Sequence, residues 1–228
     1  MPQTEIFIPP IKIDFEHLLA ALKMPANSEP EDLDTLRKML EEALITARPK
    51  AVYRVVKVDA VSQDKVFIGG LPLCGRLFAK LFSHSLIAAP YVATCGLEAE
   101  EWSHHFFDPL EHYWADGIKR ALLRSVRKSL KEHLAKEVFF GGDVSSVNPG
   151  SLPDWMLDGQ TMIFELLGNK TREVGVTLTD SLLMLPTKSS SGIAFSAQNH
   201  FENCQLCRRE NCPGRRAEPI AQTASSEI

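Results

Sequence analysis

No apolar run approaches the ~18 residues that a membrane-spanning helix needs, so no transmembrane segment is expected. The first residues, Met1-Pro-Gln-Thr-Glu-Ile-Phe-Ile, lack the basic-then-apolar layout of a secretory leader, and a cytoplasmic location is expected. Net charge is small: 25 basic against 29 acidic side chains leave −4, which argues against a general nucleic-acid binder. No internal repeat is visible. The glycine pairs Gly69-Gly70 and Gly141-Gly142 stand without the longer pattern of a phosphate-cradling loop. No spacing defines a Ser-His-Asp or Cys-His arrangement. His104, His105 and His112, with Glu111 nearby, fit no established metal-ligand spacing and read as exposed or capping histidines.

What is present is enough apolar material for a real core, 44% of 228 residues, in one domain with at most a small appendage. A short strand leading into a helix is expected over residues 11–23. Leu33, Leu36, Leu40 and Leu44 predict a helix over 31–47, ending before Pro49. Residues 51–61 and 65–68 read as strands, 73–83 as a helix, and 88–94 as a buried strand running into Cys95-Gly96. The strongest helix signal is Leu110, Trp114, Ile118, Leu122, Val126, Leu130 and Leu134, an apolar stripe that requires a sheet or core beneath it. Residues 141–153 read as a loop, 158–167 as a helix, and 174–178, 181–185 and 192–196 as short strands. Without a regular βαβ rhythm, the class is α+β, a twisted and largely antiparallel sheet flanked by helices. The expected organisation is a domain over 1–200, a cysteine-rich appendage over 201–215 and a disordered tail over 216–228.

Lys119, Arg120, Arg124, Arg127, Lys128 and Lys131 fall on the long helix without interleaved aromatics. They read as a solvated face, with a docking face for an acidic protein as the alternative. Asp116 sits nearer the start of that helix, where a carboxylate suits the helix dipole.

Two segments stand out in the second half. Asn148-Pro149-Gly150-Ser151 is a turn signal, and a residue without Cβ lets backbone approach a ligand closely. Lys188-Ser189-Ser190-Ser191-Gly192 offers hydroxyls, backbone N–H groups and a cation suited to a carboxylate, a phosphate or an amide. Each alone also reads as an ordinary turn between strands.

Taken together, residues 113–196 resemble the activation domain of cobalamin-dependent methionine synthase. The resemblance rests on the Pro149-Gly150 loop, then Trp155 and the helix containing Phe164 and Glu165. It continues through Leu178-Thr179-Asp180-Ser181, Met184, Pro186 and the turn Ser189-x-Ser191-Gly192. Three departures are present. The family's arginine before the Pro-Gly pair is replaced by Ser146, its tyrosine after that pair by Ser151, and its tyrosine after the Ser-x-Ser-Gly turn by Ala194. The resemblance implies a cleft lined by Asn148, Pro149, Gly150, Ser151, Lys188, Ser189, Ser191 and Gly192, with Asp116 as its acidic member. It implies S-adenosylmethionine as cofactor and a corrinoid (cobalamin) carried by a methyltransferase partner. The implied role, within methionine biosynthesis, is rescue of cobalt trapped as Co(II), by one electron coupled to a methyl transfer. The chain is expected to act in trans as a split activation subunit, with a reductase or ferredoxin-type donor supplying the electron.

Three of the five cysteines, Cys204, Cys207 and Cys212, crowd together near the C-terminus. In a cytosolic chain such crowding points to metal or redox chemistry rather than a disulfide framework. Their expected occupant is an iron–sulfur cluster, with structural zinc or free thiols as alternatives, and Cys95 is the expected fourth ligand ahead of Cys74. Two rival functions follow: an iron–sulfur electron-transfer activator that uses no S-adenosylmethionine, and a non-catalytic interaction module stapled by zinc.

Overall fold

The computed structural model describes residues 4–25, 27–152, 154–196, 201–206, 215 and 217–218. Its centre is an antiparallel sheet. β1 (Thr4–Phe7) pairs with β2 (Lys50–Arg54), which pairs with β6 (Ile87–Thr94). β3 (Val56–Val61) continues the line of β2 along β6 and carries the hairpin β4 (Lys65–Ile68) and β5 (Leu71–Cys74). On the far side of β6 lie β10 (Ser189–Ser196) and then β7 (Val144–Val147). The pair β8 (Thr177–Leu178) and β9 (Met184–Leu185) forms a separate ribbon.

The helices divide between the two faces. On one side, α1 (Phe15–Leu22), α2 (Pro30–Thr46) and α4 (Leu97–Ser103) gather round α5 (Pro109–His133). On the other, α3 (Arg76–Leu81), α6 (Gln160–Leu167) and α7 (Lys170–Glu173) cover the core of Val52, Val92, Ile193 and Phe195. Strand alternation sorts the side chains: Ala51, Ala89, Ala93 and Ala194 face α5, while their neighbours face α6. The antiparallel α+β class is the one the sequence pattern implies.

Helix α5 begins where Asp108 Oδ1 accepts from the N–H groups of Leu110 and Glu111 at 2.9 and 3.1 Å, with Pro109 in the first turn. Trp114, Ile118, Leu122, Val126, Leu130 and Leu134 are buried as the stripe requires; Leu110, in the capped first turn, is exposed. The helix ends in one wider turn over Leu134–Val138.

Several local expectations need correction. The buried face of α2 is Leu36, Met39, Leu40 and Ala43, and Leu44 is exposed, because methionine and alanine complete the phase better than the leucine count does. The strand expected just before α1 is absent, and the edge strand is β1 instead. Residues 71–74 pair as β5 before α3 begins, and the loop expected over 141–153 contains β7, whose serines hide its strand character. Of the segment 188–192, residues 189–192 are the start of β10 and only Lys188 belongs to the bend before it. Lys119 does not lie on a solvated face: it is 5% exposed, and its Nζ donates to Glu100 Oε2 at 3.1 Å.

Residues 201–206 are stitched to the domain. Phe201 packs in the α6-side core and its N–H donates to Ser145 Oγ at 2.8 Å, while Glu202 lies beside Ser146. Packing therefore does not divide at residue 200. The tail expected to be disordered, over 216–228, lies outside the described residues apart from 217–218.

Leu122 is fully buried between the helices and the sheet. Leu122→Ala should lower the unfolding free energy by about 3 kcal/mol, measured by urea denaturation. A loss below ~1 kcal/mol would contradict its place at the centre of this packing.

Candidate functional site

The two segments that carry the family resemblance meet at Asn148. Its Nδ2 donates to the Ser191 carbonyl at 2.5 Å and lies 3.0 Å from the Tyr91 hydroxyl. With that nitrogen occupied, Oδ1 acts as acceptor, and the Asn203 amide nitrogen reaches it at 2.6 Å. Gly192 makes this possible: a Cβ there would stand 2.4 Å from Asn148 Nδ2 and 2.7 Å from the Tyr91 hydroxyl. The space that glycine leaves thus holds Asn148 itself. Pro149 is buried, and Gly150 adopts φ +73° with its N–H donating to the Trp155 carbonyl at 2.8 Å. Ser151 closes the turn onto the Asn148 carbonyl at 3.2 Å.

Ser189 and Ser191 point to the α6 side. Ser189 Oγ donates to the Pro186 carbonyl at 2.8 Å and lies 3.0 Å from Thr94 Oγ1. Ser191 Oγ donates to Gln160 Oε1 at 3.2 Å, and Gln160 Nε2 in turn donates to the Leu182 carbonyl at 2.9 Å. The α5 side of β10 is presented by Ser190, Gly192 and Ala194 instead, since alternate residues take opposite faces.

Asp116 and Lys188 come together across that α5 side. Lys188 Nζ meets Asp116 Oδ1 at 2.8 Å, and Arg120 Nε meets the other oxygen at 3.6 Å. From Arg120 the same face of α5 continues through Arg124, Arg127, Lys128 and Lys131 along a cleft of about 600 Å³. The opposite wall contains Tyr91, Ser146 and Ala194, and the rim contains Glu202, Cys204 and Arg215. Two of the family's missing residues, at Ser146 and Ala194, thus border one cavity. Composition had hidden this cleft, because a run of basic residues on a helix does not say which wall it faces. The clue was that Arg120, Arg124, Arg127, Lys128 and Lys131 recur at helical spacing on one side.

The cysteines separate. Cys204 lies in the cleft rim, its carbonyl accepting from Arg215 Nη1 at 3.1 Å. Cys207 and Cys212 lie outside the described residues. Cys95 is fully buried in the helix-side core, so its expected ligand role is corrected. Glu202 adjoins Ser146, which is level with Ala194 and Ala89. Cys95 lies six residues beyond Ala89, about 20 Å at ~3.3 Å per residue, too far to share a metal with Cys204. Burial, and then the Glu100 carboxylate, push the Cys95 thiol up to about 12, which disfavours the thiolate a metal needs. Cys74 is exposed. Among the described residues no group of three or more His, Cys, Asp or Glu side chains could hold a metal ion. Among the described residues, too, no helix is long and apolar enough to cross a membrane.

An antiparallel sheet with a long helix and three shorter ones on one face and further short helices on the other defines an α+β domain. Its particular fold is that of a known reactivation domain. The crystal structure of the MetH reactivation domain bound to AdoHcy matches with a TM-score of 0.58, over 88% of this chain and 80% of that one, at 16% sequence identity. The chain has that domain's fold; identity at this level carries no more. No family model matches the sequence, and no curated protein does.

The residues of this cleft suit the two charges of S-adenosylmethionine unequally: the α5 cations would attract its carboxylate and repel its sulfonium, which would be left to the neutral wall of Tyr91, Ser146 and Ala194 or to Glu202 at the rim.

Two outcomes test this geometry. Gly192→Ala should cost about 1–3 kcal/mol in thermal or urea unfolding, because Asn148 must leave the Ser191 carbonyl. A neutral result would mean that Asn148 is not held there. For Cys95, the folded thiol keeps its proton between the ordinary 9.0 and about 12, whereas the unfolded one loses it. Its contribution is therefore complete below 9.0 and falls as pH rises toward 12. Cys95→Ala should remove up to ~1.4 kcal/mol per pH unit of that alkaline loss of stability, read as the difference between the two unfolding curves.

Proposed function

We propose that this protein reactivates a corrinoid methyltransferase, docking on the corrin-bearing partner when its cobalt is trapped as Co(II). The carrying observation is the fold shared with a reactivation domain solved with AdoHcy bound. The adjacency of the Pro-Gly loop and β10 through Asn148 supports the same reading. S-adenosylmethionine supplies the methyl group in this reading: a reductase or ferredoxin-type donor gives one electron to cobalt, the S–CH3 bond breaks, a Co–CH3 bond forms and AdoHcy leaves. The chain's own part is to hold the donor. The Arg124 and Arg127 guanidinium groups would take its carboxylate, Tyr91, Ser146 and Ala194 would line the facing wall, and the 148–151 loop and the Lys188–Asp116 pair would hold that wall and α5 in place from outside the cleft.

The excess of cations in the cleft favours a second reading, in which the chain delivers the electron and takes no S-adenosylmethionine. Cys204, Cys207 and Cys212 then hold an iron–sulfur centre that carries it.

One experiment separates them. A corrinoid methyltransferase poised at Co(II) is mixed with the protein and a low-potential reductant, with and without methyl-labelled S-adenosylmethionine. The Co(II) electron-paramagnetic signal and the label on cobalt are followed. The first reading expects both decay and labelling to quicken at least about tenfold, only with S-adenosylmethionine. Decay independent of it, with stoichiometric iron and sulfide that are lost in Cys204→Ser/Cys207→Ser, identifies the second. No effect of the protein on Co(II) overturns both.

A further inference from the structure

Among the described residues, the middle of the cationic face of α5 meets no compensating carboxylate. Arg120, Arg124, Arg127, Lys128 and Lys131 recur at spacings of three and four residues, which places them on one side of the helix. At ~1.5 Å rise per residue the stripe runs about 16 Å. Its ends are offset by carboxylates: Arg120 meets Asp116 at 3.6 Å, and Lys131 meets Glu202 at 3.5 Å. Between them, Arg124, Arg127 and Lys128 meet no carboxylate within ion-pair distance among the described residues. Like charges one turn apart destabilise a helix unless something balances them. Three cations lining one cavity are a site for an anion.

The rest of the cavity narrows the class of anion. The facing wall, Tyr91, Ser146 and Ala194, adds no positive charge, so the negative end of a ligand is drawn to α5. Leu123, Leu130, Leu134 and Val144 give the cleft an apolar floor, and the volume of about 600 Å³ exceeds what an inorganic anion needs. Guanidinium forks hold phosphate oxygens in pairs, and a recessed site strengthens each contact relative to open water. A flat acidic protein surface would leave the floor unfilled.

We propose that this cleft binds a nucleotide carrying at least two phosphates, with the phosphates on Arg124, Arg127 and Lys128 and the ring over the apolar floor beside Tyr91. The site belongs to the isolated chain and takes the same Arg124 and Arg127 that the first corrinoid reading gives to the S-adenosylmethionine carboxylate, so the two ligands would compete for it; ADP titration of the chain alone and the Co(II) assay fail separately.

The test is calorimetric titration of the full chain with ADP at low salt, with AMP and inorganic pyrophosphate as comparisons. ADP should bind, pyrophosphate should displace it, and AMP should bind at least about tenfold more weakly because it offers one phosphate to three cations. Arg124→Ala/Arg127→Ala should weaken ADP at least about tenfold, Arg124→Lys/Arg127→Lys should recover part of that, and Lys38→Ala on the exposed face of α2 should change nothing. These side chains lie at the surface or half-buried, and thermal melts of each variant confirm folding. Absence of ADP binding, or ADP binding indifferent to the arginine pair, overturns the proposal. So does binding of polyglutamate in place of ADP, which would make the stripe a protein-docking face.

Discussion

The packing of α5 onto a strip of small side chains sets the geometry of everything functional in this molecule. Ala51, Ala89, Ala93 and Ala194 pave the sheet face beneath it, so the helix lies close against the strands. Trp114, Ile118 and Leu122 lock its first half among α1, α2 and α4, and Val126, Leu130 and Leu134 lock its second half on the sheet. A helix pinned along its whole apolar stripe cannot rotate. Its cationic stripe is consequently aimed at the edge formed by β10 and β7, and the cleft is the space between them.

Buried polar contacts hold the other wall. Asn148 ties the Pro-Gly loop to β10 and to Tyr91, and Ser191 ties β10 to Gln160, which reaches the Leu182 carbonyl. Each partner would be costly to leave unpaired, so the loops on both sides of the sheet are fixed in one arrangement. Gly192 is the point at which this depends on the absence of a single methyl group. The Lys188–Asp116–Arg120 chain then joins the start of β10 to α5 at Arg120, the first of the cleft's cations.

Electrostatics separates the candidate chemistries. A cavity walled by cations lowers the free energy of a carboxylate or a phosphate and raises that of a sulfonium. The family that the sequence resembles carries an arginine before the Pro-Gly pair of the loop. Here Ser146 stands at that position, and the positive charge comes from the helix across the cleft. The positive charge of the cleft therefore lies on the helix wall, and the loop and β10 wall opposite is neutral at Ser146 and Ala194.

Much of the fold was legible because periodic burial dominates local structure. The stripe from Trp114 to Leu134 required a long helix, the apolar run at 88–94 required a central strand, and the paired motifs required their two segments to be neighbours. Serine-rich β7, the edge strand β1 and the first turns after residue 200 were not legible, since each is held by partners distant in sequence rather than by its own pattern. Residue types and spacing likewise determined that Asp116, Lys188 and the arginines exist on their elements. Only the tertiary structure decided that Lys119 is buried against Glu100, that Ser189 and Ser191 turn away from the cleft, and that Cys95 lies in a core remote from Cys204. The physical reason is that periodicity fixes which side of an element is buried, whereas the partner each side meets depends on strand order and register.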